Sequence, residues 1–250
     1  MSQQVIVFEV GSSLGFFRKP FSTTNALTHA VIPRSTVEGL IGAILGLKSE
    51  EYPEKLETSK IGVEILSPVK KYHMKTNFTH VDWWNKAENY LTKKNTEKTT
   101  PFNSPTNMEY LVSPKYRIYF SNEAVNSELD ELLKNQKSKF TPYLGASSNV
   151  AYINYLGKFD CQKSTSSGFI GVSTVIPFFE DMPSINADKE TRFVIEEGLS
   201  LHITKDRISK GTYNVILSEN LKEIPVKGTE IYKVLMNGSN PNIVFLPTRV

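Results

Sequence analysis

The stretch Phe16–Gly46, FFRKPFSTTNALTHAVIPRSTVEGLIGAILG, constrains this chain more than any other segment. It joins a basic turn, Arg18-Lys19-Pro20, to a helix with legible ends and an unusual load of glycine. Val37, Leu40, Ile41, Ile44 and Leu45 recur at helical spacing, so one face of that helix is buried. Ser35 followed three residues later by Glu38 has the pattern of a capping box. Gly46 suits a left-handed C-terminal stop. Gly39 and Gly42 are different, because a glycine inside a helix costs about 1 kcal/mol relative to Ala. Three residues apart, they share a face. Either the helix packs closely on a sheet there, or the backbone of a polynucleotide or partner comes near. Free N–H groups of a first helical turn favour anions. With Arg18, Lys19 and Arg34 around them, an anion site is predicted at this helix start.

The rest of the chain supplies an order of elements. Val5–Val10 reads as a strand rich in β-branched residues, followed by a long loop and the glycine-bearing helix. Ile61–Leu66 and Val69–Thr79 read as further strands. In the second, Lys71, His73 and Lys75 share one face and Tyr72, Met74 and Thr76 the other. From Val81 to Asn107 the pattern breaks into a Lys/Thr/Asn-rich run that holds both tryptophans, Trp83 and Trp84. This predicts an exposed excursion between two strands. The paired tryptophans there either form a contact surface or base-stacking platform, or anchor the loop on its own domain. Met108–Phe120 returns to strand character, Asn122–Lys137 is an amphipathic helix, and a small-residue loop, Phe140–Asn149, precedes a strand over Val150–Leu156. The order is βαββαβ, the ferredoxin-like order, on an α+β domain spanning about residues 1–160 with an insertion near 81–107. Residues 168–250 carry only short strands separated by Gly, Pro and Asn and predict a smaller β-rich region.

Composition narrows the chemistry. A 250-residue chain with 39% hydrophobic residues can bury a substantial core. Its net charge of +3 is too small to establish nucleic-acid binding by itself and leaves room for a local basic surface. One cysteine, Cys161, excludes an internal disulfide, and the four scattered histidines show no metal-ligand spacing. No metal or other cofactor is expected. The start, MSQQVIVFEV, lacks the basic flank and apolar length of a secretory leader, and no apolar run approaches a membrane span, so a cytoplasmic protein without membrane partners is expected. Phosphate-binding loops, dinucleotide fingerprints, nucleophile elbows and zinc-protease motifs are all missing. What remains is metal-free RNA cleavage, for which His73 as proton acceptor and Lys71 as phosphate-stabilising cation are the best candidates. Alternating Lys and His on one strand face equally suits a binding surface.

Three segments resemble a known family. Phe17-Arg18-Lys19-Pro20, the run Ile32-Pro33-Arg34-Ser35-Thr36 with Glu38–Gly46, and Pro142-Tyr143-Leu144-Gly145 with Ser147-Ser148 are similar to Cas5 of type I CRISPR–Cas systems, closest to the type I-B form. The resemblance covers the N-terminal domain; the C-terminal half matches only in length and β character. It implies a ferredoxin-like (RRM-type) domain whose insertion, the thumb, is here 81–107. It implies a subunit of the Cascade complex that grips the 5′ handle of the CRISPR RNA (crRNA) and contacts the Cas7 backbone and the large Cas8 subunit. Whether target DNA near the PAM is also touched stays open. The RNA-binding residues carried over are Arg18, Lys19, Arg34, Ser35 and the loop Tyr143–Asn149, with Gly145, Ser147, Ser148 and Asn149. Lys71 joins them as a surface cation, and Trp83 and Trp84 are the expected thumb contacts. One branch of the family, in type I-C, cleaves precursor RNA with a Tyr/Lys/His set, so Lys71-Tyr72-His73 keeps an endoribonuclease reading alive beside the non-catalytic one.

Overall fold

The computed structural model describes residues 3–22, 25–79, 103–165, 167–186 and 192–248. Its first half runs β1 (Gln3–Gly11), β2 (Leu14–Gly15), α1 (Arg34–Leu45), α2 (Tyr52–Leu56), β3 (Lys60–Ile65), β4 (Lys71–Thr79), β5 (Asn103–Val112), β6 (Lys115–Ser121), α3 (Asn126–Lys134) and β7 (Tyr152–Lys163). The second half holds β8 (Ile170–Val172), β9 (Ile176–Phe178), β10 (Ser184–Ile185), β11 (Phe193–Ser200), β12 (Thr212–Ser218), β13 (Ile224–Lys227), β14 (Tyr232–Leu235) and β15 (Asn242–Ile243).

β1 is a continuous apolar run because it is central and buried on both faces. It lies in a six-stranded antiparallel sheet of order β15-β14-β7-β1-β6-β3. Ile6, Phe8 and Val10 alternate toward the helices and meet Ile118 and Phe120 of β6 and Val37, Ile41 and Ile44 of α1 in the main core. Val5 and Val7 point the other way, into a second cluster with Tyr119, Cys161, Val234 and Ile243. The C-terminal segment ties the two sheet edges together. Asn242 and Ile243 pair with β14, while the Leu246 N–H donates to Ile61 O of β3 at 2.7 Å. The Val175 N–H also reaches that outer edge, donating to Val63 O at 2.8 Å.

The β-rich second half is therefore bonded into the first. β14 and β15 extend the main sheet, and β12 forms a wall between cores. Tyr213, Val215 and Leu217 of β12 join the helix-side core while Ile216 faces a cluster of Val172, Ile224, Val226 and Val244. Two small sheets complete this part, β10-β13-β8 and β11-β12-β9; β13, which contains Pro225, is an element the sequence pattern did not reveal.

Three sequence expectations change. The single strand expected over Met108–Phe120 is two strands in two sheets. Ser113 adopts a left-handed φ of 48° and Pro114 has no N–H to donate, so the ladder breaks there. The helix expected over Asn122–Lys137 is shorter. Asn122 is held outside it by bonds from its Nδ2 to Ser59 Oγ (2.8 Å) and Lys55 O (3.0 Å), and Gln136, at φ 52°, ends it. The excursion expected from 81 to 107 begins its return earlier, since 103–107 belong to β5, paired with β4. Residues 81–102, with Trp83 and Trp84, lie outside the described residues. Among the described residues no helix is long and apolar enough to cross a membrane.

Candidate nucleic-acid interface

The basic loop around Arg18 and the loop Tyr143–Asn149, both expected to bind RNA, are in contact. Pro142–Ala151 is a closed loop: the Ala151 N–H donates to Pro142 O and the Leu144 N–H to Asn149 O, each at 2.9 Å. Leu144 is fully buried and plugs the loop into the main core. The Phe16 N–H donates to Leu144 O at 3.1 Å, which fastens the basic loop to it. Gly145 sits at φ 84°, and a Cβ there would collide with the Phe16 carbonyl. This glycine is required both by its left-handed backbone and by the close approach of the other wall. Phe17 anchors the basic loop from below, buried with its ring 6.2 Å from that of Tyr116.

The outward groups are Arg18, Tyr143, Gly145, Ser147 and Ser148, all exposed. Arg18 pairs through its backbone with Thr28, and among the described residues its guanidinium has no ion-pair partner. Asn149, by contrast, is buried, and its Nδ2 donates to Leu144 O at 3.3 Å, so it braces the loop. Lys19 is turned inward to the Glu196 carboxylate, which also accepts from His29 Nδ1 at 3.0 Å and from the Ala30 N–H at 3.3 Å. Burial pushes the Glu196 carboxyl up, but hydrogen bonds from His29 and Lys19 outweigh it and hold it at about 2. Lys71 is likewise engaged, with Glu109 at 3.0 Å and Thr28 O at 3.2 Å. His73, one pleat along, is exposed with Nε2 3.5 Å from the same carboxylate.

The helix start corrects the sequence reading most. α1 begins at Arg34, Pro33 is its N-cap, and no side chain caps it, so the Ser35/Glu38 capping box is not formed. The Thr36 and Val37 N–H groups donate to Pro33 O, and the Arg34 N–H donates to Tyr213 Oη at 3.2 Å. Arg34 itself is fully buried. Its guanidinium donates to Ser59 O at 2.7 Å and Glu57 O at 3.0 Å and lies 3.0 Å from Glu38 Oε1. Glu38 also meets His202 Nδ1 at 2.9 Å, and burial pushes its carboxyl up to about 8 against the pull of Arg34. Arg34 thus welds α1 to the 57–59 turn and to the C-terminal half. It presents no charge to a ligand, and the predicted anion site loses both its arginine and three of its N–H groups to partners within the protein.

The glycines have a local cause. A Cβ at Gly42 would lie 2.9 Å from Tyr52 Cβ, so this glycine lets α2 pack against α1. Gly39 is unobstructed: the nearest atom to a Cβ there is Tyr52 Oη at 3.9 Å. Gly39 instead lines a groove of about 700 Å³ between α1 and the segment Phe140–Gly145. That segment runs beside α1 because the Lys139 and Phe140 N–H groups cap Ile44 O and Ala43 O. Ser35 and Thr36 lie at one end of the groove, with Phe140, Tyr143 and Arg207 along it. Phe140 and Arg207 are contributions the sequence reading missed. Arg207 arrives from a distant turn with no local pattern to mark it.

No curated protein matches the sequence. Among solved structures, a chain of a CRISPR RNA-guided surveillance complex superposes with a TM-score of 0.54 at 10% identity, covering 89% of this chain and 91% of its own. A CRISPR protein from Archaeoglobus fulgidus gives a TM-score of 0.54 at 16% identity, covering 96% and 99%. At such identities the likeness is one of fold. A family model described as CRISPR-associated protein (Cas_Cas5) matches residues 5–228. Matched over nearly its whole length, the chain belongs to the Cas5 family of CRISPR-associated proteins.

Proposed function

We propose that this chain is a non-catalytic, RNA-binding subunit of a CRISPR effector complex, holding the 5′ handle of the crRNA and joining a Cas7 backbone to a Cas8 large subunit. Family membership and the shared fold with a surveillance-complex chain support the general role. The observation that carries the site is the backbone junction of Phe16 with Leu144. It sets Arg18 on one wall beside Tyr143, Ser147 and Ser148 on the other. Single-stranded RNA is recognised in this way, by phosphate contacts together with splayed, stacked bases. We also read the path β1-α1-β3-β6-α3-β7 as the ferredoxin-like arrangement. Its fourth strand lies beside the first, its third on the other side, and its second outermost. The non-catalytic reading draws support from Lys71, whose ammonium is engaged by Glu109 and Thr28 O.

Titrating the protein with single-stranded repeat-derived RNA at several salt concentrations, by fluorescence anisotropy, tests the site. Arg18→Ala is expected to weaken binding and to reduce the magnitude of the log–log salt slope by about 0.7, the loss of one phosphate contact on a single strand. Unchanged affinity and slope would remove Arg18 from the interface. Incubating the same RNA with the protein in EDTA tests the absence of catalysis. Specific cutting that disappears in His73→Ala would replace this reading with the endoribonuclease one.

A further inference from the structure

We infer that the groove beside α1 receives one unstacked nucleobase of the bound RNA, with Tyr143 as its stacking face and Gly39 as its floor. The inference rests on the RNA-binding reading above and adds where a base goes. Gly39 is the first ground. Gly42 is explained by Tyr52, whereas Gly39 touches nothing that a methyl group would disturb. Glycine there forgoes helix propensity with no packing return inside the protein. What its missing side chain does provide is a flat, open strip of backbone along the groove.

Exposed aromatic surface is the second ground. Phe140 is 54% exposed and Tyr143 43% exposed, and both line this groove. Each residue leaves about half of its surface open, and bases stack on such rings regardless of sequence. The third ground is the placement of charge. Arg207 adopts a left-handed φ of 62° in a turn closed by Arg207 N–H to Thr204 O at 2.9 Å. Its Nη1 donates to Tyr52 Oη at 2.9 Å, with the guanidinium 5.7 Å over that ring. This holds a cation on the groove wall without a carboxylate partner among the described residues. Lys48 lines the same groove, exposed and likewise without one. Glu50 is the single carboxylate on the lining. Rings, hydroxyls of Thr36 and Thr141, and the cations Arg207 and Lys48 together match a base with its flanking phosphates. The volume of about 700 Å³ falls in the range of small-ligand sites.

The test uses a repeat-derived single-stranded RNA of eight nucleotides and an abasic RNA of the same length. Tyr143→Ala is expected to weaken the base-bearing RNA roughly 5- to 150-fold, the loss of one base–aromatic stack, and to leave the salt slope unchanged. Tyr143→Phe should retain affinity within about twofold, because the ring supplies the stack. Gly39→Leu, which keeps a good helix former in α1 and fills the floor, should weaken binding comparably without lowering the melting temperature. The abasic RNA should bind wild type and Tyr143→Ala alike. If Tyr143→Ala and Gly39→Leu both bind as wild type while Arg18→Ala weakens, the base site is refuted and the RNA grip stands. If the wild-type protein binds neither RNA, the RNA reading fails and the base site with it.

Discussion

Replacing Gly42 by Ala would put a new Cβ 2.9 Å from Tyr52 Cβ and 3.2 Å from its Cγ. The ring cannot easily give way: Tyr52 is buried, and its hydroxyl accepts from Arg207. Overpacking of this kind costs about 1–3 kcal/mol. The gain in helix propensity offsets about 1 kcal/mol of it. Gly42→Ala is therefore expected to destabilise the protein by about 0–2 kcal/mol. Gly39→Ala meets only Tyr52 Oη at 3.9 Å and should keep the propensity gain whole, stabilising by about 0.5–1 kcal/mol. The two variants make the same chemical change in the same helix, so their effects on the unfolded chain are nearly equal and drop out of the comparison. Urea titration and thermal melting followed by circular dichroism read the difference. At about 2–4 °C per kcal/mol for a chain of this size, Gly39→Ala should melt some 2–12 °C above Gly42→Ala. Equal stabilities would refute the assignment of Gly42 to the α1–α2 contact and leave both glycines unexplained by packing.

Arg34→Ala should destabilise by about 2–5 kcal/mol, because it empties a fully buried site and leaves the carbonyls of Glu57 and Ser59 without their donor. Arg34→Ala protein that remains folded should show the wild-type salt slope for RNA; a slope reduced as in Arg18→Ala would restore Arg34 to the interface. Glu196 sets an acid dependence. Its carboxyl is held at about 2 when folded, so its stabilisation is complete above its ordinary value of 4.5 and is lost as pH falls toward 2. The contribution is about 3 kcal/mol. Urea midpoints measured from pH 6 to pH 2.5 should fall more steeply for wild type than for Glu196→Gln, and parallel curves would show that the Lys19–Glu196–His29 cluster does not stabilise the fold.

Local patterns in the sequence were reliable where one short-range cause acts alone. Helical spacing located α1, and Gly46 does end it, at φ 71°. The β-branched run of β1 and the small-residue loop after α3 were likewise legible. Ser35–Glu38 failed as a capping box because α1 begins at Arg34 with Pro33 as its N-cap, and Pro33 O and Tyr213 Oη meet the Arg34, Thr36 and Val37 N–H groups. Glu38 was recruited instead to a buried cluster with Arg34 and His202. Local sequence does not reveal that recruitment, since Tyr213 and His202 lie some 160–180 positions away. Of the expected site, Arg18, Tyr143, Gly145, Ser147 and Ser148 are exposed, whereas Ser35 is buried and Arg34, Asn149, Lys19 and Lys71 are engaged by the protein's own groups.

The sequence by itself determined β1, α1 with its Gly46 stop, and the family, because each rests on neighbouring residues. Tertiary structure alone decided which cations stay free, since burial and the distant carbonyls of Glu57 and Ser59 choose between Arg18 and Arg34, and no local pattern records that choice. It also decided the two glycines differently. Gly42 yields to Tyr52, and Gly39 opens a groove that Arg207, brought in from a far turn, completes.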